Sequence, residues 1–140
     1  MAAIGVDTQR YDEVRQAVSA GLTRYNDRFL PQDRDRHPLA LSVRDEAGAV
    51  IGGLIGELRM DYLHVDLLWI DESQRGQGAG KRLIDLAEAE ARRFGATHMH
   101  LSTWSFQAPD FYKAMGFVEF GRMKDHPAGF DSIFFVKAFT

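Results

Sequence analysis

The chain contains no cysteine. That excludes disulfides, a thiol nucleophile and thiolate metal sites, and it fits a cytoplasmic protein. No apolar run approaches the roughly 20 residues that a membrane-spanning helix needs. The first eleven residues lack the basic-then-apolar layout of a secretory signal. The formal net charge is −3, so nothing draws the chain as a whole to nucleic acid or to an anionic membrane. Repeats, low-complexity tracts and linker-like stretches are also missing. What is present suits one globular domain over residues 1–140. Hydrophobic residues make up 45% and charged residues 26%, and ten Phe can build an aromatic core.

One stretch organises the rest. Leu63, Val65, Leu67, Leu68, Trp69 and Ile70 form an apolar strand, and a turn follows over Arg75-Gly76-Gln77-Gly78-Ala79-Gly80. From Lys81 to Phe94, Leu83, Leu86, Ala87, Ala91 and Phe94 recur at helical spacing, and Glu88 and Arg92 form an i,i+4 pair on the outer face. Gly95 stands where a helix C-cap glycine belongs. The first turn of such a helix has N–H groups without intrahelical partners, and the helix dipole adds partial positive charge there. Glycines let a ligand approach the backbone closely, and Arg75 and Lys81 add cations beside the loop. A phosphate or pyrophosphate is the expected guest.

Two nucleotide motifs fail on spacing. A P-loop needs Ser or Thr after its Lys, and here Lys81 is followed by Arg82. The dinucleotide fingerprint spaces its glycines one and then two residues apart, whereas Gly76, Gly78 and Gly80 are spaced one and one. The pattern instead resembles motif A of the GNAT superfamily of acyl-CoA-dependent N-acetyltransferases: Gln or Arg, two residues, Gly, one residue, Gly or Ala. Arg75, Gly78 and Gly80 fill it. Downstream, Ala108, Tyr112, Gly116 and Phe117 reproduce the family's Ala-x-x-x-Tyr-x-x-x-Gly-Phe pattern, in the family's order and separation.

The remaining elements follow from patterning. Ala3–Val6 reads as a short strand. Asp12 to Tyr25 reads as a helix with a stripe of Val14, Val18, Leu22 and Tyr25, and a polar loop runs to Pro38. Strands are expected over 39–43, 49–58, 62–70, 97–104, 117–122 and 132–139, with a short helix near 108–115. Gly52, Gly53 and Gly56 inside a strand point to a bulge or to close approach of another backbone. The fold class is therefore α/β, a mixed and largely antiparallel sheet with helices on both faces. The resemblance adds that the central strand and its neighbour splay apart to admit the pantetheine arm of the cofactor.

The resemblance implies acetyl transfer from acetyl-CoA to the amine of a small molecule or peptide, by direct attack in a ternary complex. It places Tyr112 as the general acid that reprotonates the leaving thiolate. It places the cofactor against the backbone of Leu68, Trp69 and Ile70 and against Arg75, Gly76, Gln77, Gly78, Ala79, Gly80 and Lys81. Ala108 opens the second motif. Ser105 stands where many relatives have an Asn that holds the pantetheine arm. The base stays open between His64 and Asp66: a histidine titrates near neutrality, and a carboxylate can work through water. Asp61 and Asp66 favour a cationic acceptor. His98, His100 and His126 lack metal-ligand spacing, and no metal is expected. A monomer or a homodimer is compatible with all of this. A catalytically idle acyl-CoA-binding domain is the alternative reading.

Overall fold

The computed structural model describes all 140 residues, which fall into two compact units, residues 1–34 and 35–140. In the first unit a short 3-10 turn (Thr8–Arg10) leads into helix α1 (Tyr11–Asn26). Asp12 and Glu13 lie in its first turn and Arg24 in its last, each favoured by the helix dipole. The N-terminal segment through Gly5 and Asp7, together with Tyr11, Val14, Val18 and Leu22 of the helix, lines a groove of about 560 Å³. The strand expected at Ala3–Val6 does not form. A strand needs a partner for its backbone groups, and no ladder includes these residues.

The second unit carries six strands: β1 (His37–Arg44), β2 (Val50–Arg59), β3 (Tyr62–Ile70), β4 (His98–Trp104), β5 (Val118–Met123) and β6 (Ser132–Ala138). Helix α2 (Ala79–Phe94) joins β3 to β4, and helix α3 (Pro109–Ala114) follows β4. The strands lie in the order β1-β2-β3-β4-β6-β5. Only β3 and β4 pair in parallel, as a crossover through a helix requires.

Alternation builds the core. Gly52, Leu54, Gly56 and Leu58 of β2 are buried, while Gly53, Ile55, Glu57 and Arg59 between them are not. Leu63, Met99, Ile133 and Phe135 join Leu54 beneath the sheet, and α2 adds Ile84, Ala87 and Ala91 at helical spacing. Ile84 is fully buried, so Ile84→Ala would cost about 2–5 kcal/mol. Tyr112 of α3 enters the same cluster, so within this unit α2 and α3 share one face of the sheet. Gly95 ends α2 with φ 102°, as a C-cap glycine does. Glu88 receives Arg92 at 3.1 Å and also Lys137 of β6 at 2.8 Å, which ties α2 to the sheet.

The strand glycines answer to close approach. A Cβ on Gly53 would lie 2.5 Å from the Leu41 carbonyl oxygen, and one on Gly56 would lie 2.8 Å from that of His64. The register also shifts here: Ile55 pairs with Leu67 and Gly56 with Val65, so Asp66 is the extra residue of a bulge on β3. Pairing of β3 with β4 covers only Tyr62↔His98, Leu63↔Met99 and His64↔His100. A bulge bends its strand. This one lies two residues past the last pair, where the two strands part.

Candidate active site

The glycine turn presents bare main chain. After β3, Asp71 accepts the Ser73 N–H at 3.1 Å and the Ser73 hydroxyl at 2.6 Å, which closes a 3-10 turn over Glu72–Gln74. Ser73 holds the Asp71 carboxyl below its ordinary pKa. Gly76 and Gly78 both adopt φ 78°, and Gly78 is the N-cap of α2 without any side-chain cap. Gly80 is needed for another reason: a Cβ there would meet the Phe111 ring at 3.0 Å. None of residues 76–81 donates its N–H to another backbone group. Those donors, at the positive end of a 16-residue helix, fit a pyrophosphate.

The flanking cations are arranged less simply than the sequence suggests. Arg75 donates through Nε to the Ile70 carbonyl at 3.2 Å, which fastens the loop to the end of β3. Lys81 does not turn toward the loop, because its ammonium is 2.6 Å from Asp85 one turn along α2. The i,i+4 geometry of a helix explains this pairing. Gln77 reaches back to the Ser73 carbonyl at 3.5 Å.

Beyond His64 and His100 the seam between β3 and β4 opens into three cavities that share walls. The first, about 490 Å³, is bounded by Leu68, Trp69 and Ile70 of β3, by Arg75 and Gly80, and by Phe106, Gln107, Ala108, Phe111 and Tyr112. A narrow one of about 140 Å³ lies within the seam, between Asp66 and Leu68 on one wall and Ser102, Gln107 and Tyr112 on the other. The third, about 320 Å³, is lined by Asp66, Leu67, Ser102, Trp104, Gln107 and His126. Shared residues make them one passage from the glycine loop to the loop between β5 and β6.

Tyr112 stands at the junction of the first two cavities. It is 8% exposed and is held edge-on by Phe111 and Phe117, with ring centroids 5.2 and 5.7 Å away. Burial pushes its phenol pKa above the ordinary value, so the hydroxyl keeps its proton across the physiological range. Ala108, the N-cap of α3, takes a left-handed conformation (φ 59°, ψ 61°) that non-glycine residues rarely adopt, a strain of about 1–3 kcal/mol of the kind found beside functional sites.

The two candidate bases are placed apart. Asp66, exposed at the bulge, lines two of these cavities, and no hydrogen bond or ion pair engages its carboxylate. His64 lines none of these cavities. Its Nδ1 lies 3.2 Å from Nδ1 of His100, and the two rings are 4.8 Å apart. Burial first, then the neighbouring His64 and His98, hold the His100 pKa below its ordinary value. No group of three or more His, Asp or Glu side chains is placed to hold a metal ion.

Ser105 lies outside the passage. Its hydroxyl accepts the Asp131 N–H at 3.0 Å and its own N–H donates to the Asp131 carbonyl at 2.9 Å, so it braces the start of β6. Arg122 holds the same Asp131 at 2.8 Å. Gln107 instead borders all three cavities, although its place one residue before Ala108 is the only hint the sequence offers. Phe106, Phe111, Trp104 and His126 likewise line the passage without carrying a motif signal.

Residues 8–117 match the Acetyltransferase (GNAT) family. The chain is 46% identical over 93 residues to blasticidin-S acetyltransferase of Streptomyces morookaense, covering 66% of this chain and 68% of that protein. It is 33% identical over 112 residues to an acetyltransferase of Agrobacterium fabrum, covering 79% and 80%. Among solved structures, a Bacillus cereus acetyltransferase superposes with a TM-score of 0.85 at 32% identity, covering 99% of this chain and 97% of that one. An open seam, an uncapped glycine turn and these relatives agree: the chain belongs to the GNAT family and is an acetyl-CoA-dependent N-acetyltransferase.

Proposed function

We propose that residues 1–140 act as one catalytic domain in which acetyl-CoA and an amine meet in the seam between β3 and β4, and that the amine attacks directly within a ternary complex. The observation that carries this is the narrow cavity that has the Tyr112 phenol on one wall and the unpartnered Asp66 carboxylate on the other. Bound acetyl-CoA supplies an acetyl thioester. The N–H groups of Gly76 to Lys81 hold its pyrophosphate, and the apolar walls at Leu68, Ile70 and Phe111 exclude water from its arm. A backbone N–H within Leu68–Ile70 stabilises negative charge on the carbonyl oxygen. Tyr112 keeps a proton at Oη for the departing sulfur.

Asp66 seats the acceptor as its ammonium and takes its proton, directly or through water. It is preferred over His64, whose Nδ1 is engaged by His100 outside the passage. The acceptor is a cationic amine of the class that the name of the Streptomyces relative indicates. Acetyl-CoA is drawn from the cytoplasm. The chain works as a monomer or a homodimer, because one copy contains every group named here.

A thiol-release assay with acetyl-CoA tests the reading across blasticidin S, aminoglycosides, polyamines, amino acids and peptides. Turnover is expected with cationic small amines. Release with peptides alone would move the acceptor to protein substrates. Firm CoA binding without release from any amine would overturn the assignment of the seam.

A further inference from the structure

We infer that the side-chain amide of Gln107 binds the pantetheine arm, donating from Nε2 to one of its carbonyl oxygens. The inference rests on the seam being the acetyl-CoA site. Gln107 follows β4 where the chain turns into α3. Its Oε1 accepts the Trp104 backbone N–H at 3.0 Å and the Thr103 hydroxyl at 3.3 Å. The backbone N–H can only donate, so the amide orientation is determined: oxygen toward β4, nitrogen away from it.

The –NH2 group is then left with two hydrogens and no protein acceptor, on a residue that borders every cavity of the passage. Two hydrogen bonds to Oε1 restrict its rotation before any ligand arrives, which reduces the entropy lost on binding. Gln107 is exposed, so water takes these hydrogens in the free protein and a ligand that replaces it there must offer an oxygen. The pantetheine arm carries amide carbonyls that lose water between Leu68, Phe106 and Phe111, and each needs a donor in exchange. A cationic amine offers no such acceptor and goes to Asp66. Ser105, the position the family resemblance assigns to this task, lines none of the three cavities, and its hydroxyl oxygen accepts the Asp131 N–H.

Gln107→Glu separates this role from a structural one. It keeps an oxygen for Trp104 and Thr103 and removes only the donor. Binding is measured calorimetrically with CoA and by NMR titration with pantetheine, which has no phosphates for a new carboxylate to repel. Gln107→Glu and Gln107→Met should weaken both ligands about tenfold, the loss of roughly one hydrogen bond. Thermal stability should hold in the Glu variant, and Ser105→Ala should bind CoA like the parent. In the parent, the Gln107 side-chain amide resonance should shift on adding CoA. Parent-like affinity of Gln107→Glu for both ligands, or a loss that appears in Ser105→Ala instead, overturns the inference while leaving the seam assignment standing. Failure of the parent itself to bind CoA overturns both.

Discussion

The seam between β3 and β4 has a closed end and an open end, made from the same two strands. At the closed end, three register pairs bring His64 against His100 with the rings of Tyr62 and His98 tilted beside them. There the backbone groups satisfy one another, and the two imidazoles meet through Nδ1. Two residues further on stands the bulge at Asp66, and the seam becomes a passage between an acid and a phenol. One extra residue in β3 thus stands between a structural joint and the proposed reaction site. Unpaired main chain costs stability unless something replaces the lost partners. A ligand with amide and carbonyl groups of its own is suited to do so.

The largest expected effect lies at the open end. Tyr112→Phe keeps the packing against Phe111, Phe117 and Phe135 and removes the proton donor. Turnover should fall on the order of 10²- to 10⁴-fold, the range of positioned acid–base help. CoA affinity and melting temperature should scarcely move, so a variant as fast as the parent would rule out the acid role.

Next comes the glycine loop that feeds the passage. Gly78→Asp places a carboxylate at the unpaired N–H groups and a Cβ on a left-handed residue. Charge-assisted hydrogen bonds are worth about 1.5–3 kcal/mol, so CoA affinity should drop by about 10- to 100-fold with circular dichroism unchanged. Undiminished binding in calorimetry would place the pyrophosphate elsewhere.

A smaller change is expected for Asp66→Asn. The Michaelis constant for the amine should rise about tenfold through loss of the ammonium's partner, and the acidic limb of the rate-against-pH profile should change through loss of the base, while the constant for acetyl-CoA stays where it was. A rise in both constants would mean that Asp66 shapes the seam rather than seating the acceptor.

The closed end sharpens the contrast through pH. The His100 pKa lies below its ordinary value of 6.5, so the unfolded chain takes up this proton more readily than the folded one. The resulting stability is fully present above about pH 6.5 and declines as pH falls toward the folded pKa. His100→Phe should flatten that acid slope in urea titrations across a pH series and leave turnover at neutral pH nearly unchanged. An identical slope in the variant would remove His100 from the account.

Much of the donor half was readable in the chain itself. Strand, glycine turn and helix are contiguous, and their chemistry is main-chain chemistry, so composition and spacing already specify it. Tyr62–Ile70 has the strand bounds expected for it, and α2 begins two residues before Lys81. The side-chain walls of the seam were less readable. Asp66, Gln107 and His126 come from three distant segments, and each by itself is an ordinary polar residue. Ser105 shows the converse: its motif position suggested a ligand, and only the fold reveals that its hydroxyl oxygen accepts the Asp131 N–H.

The sequence by itself determined the kind of ligand this protein holds, because an uncapped helix start flanked by glycines presents its donors wherever it occurs. It also determined the place of Tyr112, the proposed general acid, in a motif and the strand alternation that builds the core. Only the tertiary structure decided which residues face one another across the seam. The pairing of β3 with β4 stops after His64, and a bulge against β2 follows at Asp66; both are relations between strands that neither contains alone. The same holds for Lys81, which Asp85 draws away from the loop, and for Gln107, whose amide is oriented by Trp104 and Thr103. A side chain's direction is set by the partner within its reach, and that partner is fixed only when the chain has folded.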